Sequence, residues 1–239
     1  MMNGKRIVKW VFAFACTIMA GCGFALAGEG YGLYKNAVQE VSLEEKVNEI
    51  HSQESFTSLE DMPETYVQAV VSVEDHRFYD HFGLDLIAIG RAIVNDIKAG
   101  RYVEGGSTIT QQLAKNLYFS QEKTMNRKAA EVFLALELEQ KYTKDEILEL
   151  YVNSIYFGDG YYSVGEASEG YFGKPASEMN DYECTLLAGV PNAPSKYAPS
   201  KNLALAEKRQ QKVLSRMEAC GYITEEETTL MAAQLVALN

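Results

Sequence analysis

The chain has 239 residues, 33 acidic against 22 basic side chains, a formal net charge of -11 and 47% hydrophobic residues. This excludes a disordered chain, allows one sizeable core with room for little more, and argues against a nucleic-acid partner, which would need a basic surface. Four cysteines make no disulfide framework or metal-ligand spacing, and three histidines argue against a zinc site.

Lys5, Arg6 and Lys9 precede Trp10 to Gly28, an uncharged run of nineteen residues. That is near the roughly 20 needed to cross a bilayer, and the leading basic residues predict a cytoplasmic N-terminus with the remainder outside. Two other readings stay open: a cleaved signal peptide ending near Ala25 or Ala27, and a lipoprotein signal at Met19-Ala20-Gly21-Cys22. All three place the rest of the chain outside the cytoplasm at or near the membrane. The uncleaved anchor, residues 1–28, is the preferred reading.

Residues 29–60 read as a polar juxtamembrane linker with one short helix from Leu43 to Ile50, ahead of a domain over 61–239. Asp61-Met62-Pro63-Glu64 resembles a helix start. Tyr66, Val67, Val70, Val71 and Val73 then form an apolar stripe ending at Glu74-Asp75. Leu86, Ile89, Ile93 and Ile97 recur at helical spacing up to Gly100, a C-cap candidate. Two glycines and a Ser107 or Thr108 cap open the next helix, a natural anion seat through its free N–H groups. A long helix is predicted from Asn126 to Tyr142. Capping boxes at Thr143–Glu146 and Asn180–Glu183 open two more, and Leu203–Ala219 and Thr224–Leu238 close the series. Apart from a short extended piece at Ser154 to Phe157, strand patterns are absent. The expected fold is mainly α.

Two blocks concentrate chemistry. In Glu74-Asp75-His76-Arg77-Phe78, a carboxylate at the end of an apolar helix is set to be desolvated, which raises its pKa toward a general base. Arg77 could pair with Asp75 there. In Arg127-Lys128-Ala129-Ala130-Glu131, the three charged residues share one helical face at i,i+3 and i,i+4. That face is either a surface ion-pair ladder or the lining of an internal cleft; the apolar remainder of the helix favours the cleft.

With Gly105-Gly106-Ser107-Thr108-Ile109-Thr110-Gln111-Gln112 and Lys115-Asn116 between them, these blocks resemble the peptidoglycan glycosyltransferases of glycosyltransferase family 51. Lys144 to Asn153, and Tyr156-Phe157-Gly158 through Tyr171-Phe172-Gly173-Lys174, are similar too. The likeness spans about residues 60–220 in the family's order. It implies a lysozyme-like helical fold behind an N-terminal transmembrane helix, on the outer side of a bacterial cell membrane. With no room for a Ser-x-x-Lys transpeptidase domain after residue 239, it implies the monofunctional type.

The resemblance implies lipid II and the growing glycan strand as substrates. Glu74 matches the base that deprotonates the acceptor 4-hydroxyl; attack on the donor C1 inverts it and releases undecaprenyl pyrophosphate. Glu131 matches the second glutamate. Lys115, Lys123, Arg127 and Lys128 would surround the pyrophosphate, the local basicity that an acidic chain otherwise lacks. Asp75, Arg77, Phe78, Gly106, Ser107, Thr108, Gln111, Gln112 and Asn116 complete the implied substrate-binding set. No cofactor is firmly implied, although Glu131 and the diphosphate could share a Mg or Mn ion. Membrane lipid and other wall-synthesis proteins are the implied partners, and residues 84–105 are expected to be mobile and partly membrane-facing. Gly165-Glu166-Ala167-Ser168 and Arg209-Gln210 depart from the family's pattern, the second leaving the role of its helix open. A lytic glycosidase with Glu74 as general acid and a catalytically silent recruiting protein are the other classes considered.

Overall fold

The computed structural model describes residues 4–101, 105–120, 122 and 124–237, with 4–20, 22 and 233–237 described by backbone alone. Its helices are α1 (Gly4–Glu40), α2 (Leu43–His51), α3 (Glu64–Glu74), α4 (Leu86–Ala99), α5 (Ile109–Tyr118) and α6 (Met125–Lys141). They continue with α7 (Lys144–Val152), α8 (Val164–Phe172), α9 (Asp181–Gly189), α10 (Pro194–Tyr197), α11 (Leu203–Ala219) and α12 (Glu225–Ala237). Among the described residues there is no strand. Ser154 to Phe157, expected as an extended piece, forms no strand and leads into a tight turn, where an isolated bridge joins Gly158 and Tyr161 and the Phe157 N–H donates to the Tyr161 carbonyl.

Local signals set most helix starts. Thr108, Thr143, Asn180 and Thr224 each accept the N3 backbone N–H while the N3 side chain returns to the cap N–H, four complete capping boxes. The start expected at Asp61 differs. Asp61 lies in a 3₁₀ turn, Leu59–Asp61, where its carboxylate accepts from the Ser58 hydroxyl, and α3 begins at Glu64 without a side-chain cap.

Two groups of helices build the core. α3 packs on α9 and α11, while α5 packs on α6 and α7. Tyr66, Phe78, Leu113, Leu134, Tyr151 and Phe157 are fully buried between them. Residues 29–60, expected as a linker, are folded onto this core. Leu43, Val47 and Ile50 on one face of α2 are buried, and α1 runs along α6. There Gly30 lies so close to α6 that a Cβ would come within 2.4 Å of the Ala129 Cβ, and the Tyr34 hydroxyl donates to Glu137 at 2.6 Å.

Among the described residues no helix is long and apolar enough to cross a membrane. The uncharged run from Trp10 falls mostly on residues whose side chains lie outside the description. α4 buries only Ala92 and exposes Leu86, Ile87, Ile93, Val94 and Ile97, the last at 75%. It starts on the Asp85 carboxylate, which accepts from the Ile87 and Ala88 N–H groups, and ends at Gly100 in the left-handed region.

Candidate active site

The last residue of α3 is Glu74, and the chain leaves the helix at Asp75 because that side chain is held elsewhere. Asp75 Oδ2 accepts from the Ile109 backbone N–H at 3.1 Å and pairs with His81 Nε2 at 2.8 Å. His81 Nδ1 accepts from the Gly83 N–H, so Nε2 is the protonated nitrogen. Asp75 therefore occupies the N-terminus of α5. The anion seat expected there for substrate is filled by the protein's own carboxylate, which fixes α3 and α5 end to end.

That junction places Gln112 beside Glu74. Gln112 Nε2 donates to Glu74 Oε2 at 2.9 Å, and its carbonyl oxygen accepts from the Tyr151 hydroxyl at 3.3 Å. Glu74 Oε1 is buried with no hydrogen-bond partner among the described residues. Burial pushes the Glu74 carboxyl above the ordinary carboxylate range, and the Gln112 hydrogen bond and the Arg209 charge pull it partly back. The C-terminal end of a helix, with its partial negative charge, works in the same direction as burial.

The second cluster lies on the first turns of α6. Glu131, 2% exposed, accepts from Arg127 through Oε1 and from Lys128 Nζ through Oε2 at 2.9 Å. Lys128 also donates to the Ser107 hydroxyl at 2.8 Å, which ties α6 to the loop before α5. Gly106 in that loop passes so close to α4 that a Cβ would lie 3.2 Å from the Ile89 Cα. Arg127 Nε is a buried donor with no partner among the described residues.

Lys115 stands between the clusters, one turn beyond Gln112 on α5. It feels the charges of Glu131, Arg127, Lys128 and Glu74. Its ammonium makes no hydrogen bond among the described residues, and burial lowers its pKa, with Arg127 and Lys128 adding to the effect. Three cations thus gather around the Glu131 carboxylate, with Glu74 the next nearest negative charge to Lys115. With an unpartnered donor on Arg127 and an unpaired ammonium on Lys115, this lining suits a dianionic group.

Several residues expected to bind substrate have other work. Phe78 is fully buried, with the Lys144 ammonium 4.5 Å from its ring centroid. Thr108 and Gln111 are buried in the capping box of α5, where the Thr108 hydroxyl donates to the Gly83 carbonyl. Arg77 pairs not with Asp75 but with Asp85, Nε at 3.1 Å and Nη2 at 2.5 and 2.6 Å to its two oxygens. Asp85 is the residue that caps α4, so Arg77 braces that helix. Asn116 is partly exposed, with no hydrogen bond among the described residues. Lys123 lies outside the described residues. Each Glu131 oxygen already accepts from a cation, so a divalent ion shared with a diphosphate would have to sit beside Arg127 and Lys128.

One contact was not legible in sequence. Arg209 of α11 brings Nη2 to 3.9 Å from Glu74 Oε1. Its neighbour Gln210 donates to the Tyr182 carbonyl and the Thr185 hydroxyl, a packing role for the departure noted above. Ser168, the other departure, is fully buried and donates to the Lys174 carbonyl.

The Transglycosylase family profile matches residues 40–218. The chain is 46% identical over 172 residues to penicillin-binding protein 1A of Aquifex aeolicus, covering 72% of this chain and 24% of that protein. It is 42% identical over 182 residues to penicillin-binding protein 1F of Bacillus subtilis, covering 76% and 26%. A crystal structure of penicillin-binding protein 1A from Haemophilus influenzae aligns at 24% identity and TM-score 0.42 over 74% of this chain and 17% of that one. That last likeness is too loose to add to the assignment. The chain belongs to the transglycosylase domains of glycosyltransferase family 51. It spans about a quarter of the length of these curated relatives.

Proposed function

We propose that this domain polymerises lipid II into glycan strands by inverting glycosyl transfer, with Glu74 as general base. Glu74 Oε1 takes the proton of the acceptor 4-hydroxyl as that oxygen forms its bond to the donor C1. The C1–oxygen bond to the pyrophosphate breaks, and its electron pair leaves with undecaprenyl pyrophosphate. Burial supports the role, because a carboxylate held above its usual range binds the transferred proton more readily.

The observation that carries the reading is the group of three cations, Lys115, Arg127 and Lys128, of which the last two pair with the single carboxylate of Glu131 while Lys115 makes no ion pair among the described residues. A departing diphosphate supplies the missing negative charge at the moment it develops, where fixed donors act most strongly. Glu131 then holds Arg127 and Lys128 in place rather than touching the sugar. Ser107 keeps Lys128 on the same side, and Asn116 is free for a phosphate or sugar oxygen. The exposed apolar face of α4 and the N-terminal run from Trp10 would keep the domain at the outer face of the membrane, where a lipid-linked donor resides.

The test is polymerisation of labelled lipid II resolved on a gel, with and without EDTA. Glu74→Gln is expected to lower the rate about 10²- to 10⁴-fold, the contribution of a general base, while lipid II binding persists. Full activity in that variant would remove Glu74 from the role, and release of soluble fragments from preformed polymer would indicate a hydrolase instead.

A further inference from the structure

The two oxygens of Glu74 are held differently. Oε2 has the Gln112 amide at 2.9 Å, whereas Oε1 has no hydrogen bond among the described residues and faces the Arg209 guanidinium at 3.9 Å. That separation is too long for a hydrogen bond and well within reach of a charge. Arg77 and Asp85 provide the contrast inside the same chain: there the guanidinium engages both carboxylate oxygens, and the pair serves only to brace α4.

Arg209 is kept at its distance by its own surroundings. Its Nε donates to the Gly189 carbonyl at the end of α9, a long bond of 3.4 Å. Its stem lies over Gly189, where a Cβ would come within 3.0 Å of the Arg209 Cγ. α9 and α11 both pack on α3, so the spacing of three helices fixes how near the cation comes to Glu74. A cation in contact with Oε1 would block its lone pairs; one farther away would leave a buried carboxylate uncompensated.

We propose that Arg209 is a positioning residue for glycosyl transfer, keeping Glu74 ionised with Oε1 open to the acceptor hydroxyl, and that Gly189 sets its stand-off. This rests on the reading of Glu74 as the base. The other groups facing Glu74 are Asp75 and Tyr66 of its own helix and its cap, Gln112 and Lys115 of α5, and Tyr151 of α7. Of the two cations among these neighbours, Lys115 is shared with Glu131. Arg209, on α11, is the one that addresses Glu74 from the α3, α9 and α11 group, on the side away from α5.

The experiment is the pH dependence of kcat/KM for lipid II polymerisation by the full chain carrying Arg209→Gln, Arg209→Lys or Gly189→Ala, with Glu74→Gln alongside. Loss of the charge should move the acidic limb of Arg209→Gln up by about one pH unit, the lower end of what an adjacent opposite charge contributes. Activity on that limb should fall about tenfold, while the plateau at higher pH stays near the wild-type value. Arg209→Lys should return the limb most of the way, and Gly189→Ala, which displaces the stem without removing the charge, should move it by a smaller amount. A purely structural role would lower the plateau and leave the limb where it is, and that result overturns the proposal. If Arg209→Gln does not fold, unmoved limbs in both Arg209→Lys and Gly189→Ala overturn it equally. An inactive Glu74→Gln with unmoved limbs sinks the assignment of Arg209 alone, whereas an active Glu74→Gln sinks the base itself.

Discussion

Replacing Lys115 by methionine separates what this side chain does for the fold from what it does for the reaction. Methionine keeps the length and apolar stem, so packing on α5 changes little. What disappears is an ammonium that burial penalises and that no hydrogen bond among the described residues compensates. The folded-state pKa of Lys115 lies below its unfolded value, so the penalty is fully present below that lowered folded pKa. It fades as pH rises through the lowered folded pKa toward about 10.5, because the unfolded chain then holds the extra proton. Lys115→Met should therefore be as stable as wild type or slightly more stable at pH 7, the gain being small because solvent screens a half-buried charge. That gain should shrink in strongly alkaline buffer. Activity should move the other way. A charge-assisted hydrogen bond to the departing diphosphate is worth about 1.5–3 kcal/mol, so kcat/KM for lipid II should drop about 10- to 150-fold. Thermal melts across pH and a continuous polymerisation assay read both effects. A variant that loses stability while keeping its kcat/KM would refute the reasoning, since Lys115 would then be a structural cation and not part of a diphosphate seat.

Two further perturbations probe the framework around the site. Glu131→Gln leaves Arg127 and Lys128 without their buried partner; breaking such a pair costs about 3–5 kcal/mol, to be read as a Tm loss of about 6–20 °C, and an unchanged melt would place those cations in solvent. Gly30→Val puts methyl groups where α1 and α6 already touch; overpacking of this kind costs about 1–3 kcal/mol, and a melt identical to wild type would mean that α1 does not sit on α6 in solution.

Much of the helical order is written locally. In each of the four capping boxes, cap and partner are three residues apart, and the hydrogen bonds form within a single turn whatever the rest of the chain does. The pairing of Arg127 and Lys128 with Glu131 is of the same kind, because i,i+3 and i,i+4 spacing on a helix brings those side chains together. The grouping of Glu74 with the Gly105–Asn116 stretch came from resemblance, and the bond from Gln112 to Glu74 gives that grouping a physical form.

Which side chains face the site and which are enclosed was decided only by packing. Thr108, Gln111 and Phe78 look as polar or as aromatic in the chain as any ligand-binding residue, yet helix junctions bury all three. Asp75 ends α3 and fills the N-terminus of α5, a bond across 34 positions that no helical period encodes. Arg209 reaches Glu74 only because α9 and α11 lie against α3 at the same level. A turn of helix carries its own hydrogen-bond geometry, whereas the burial of a charge depends on every surface brought against it.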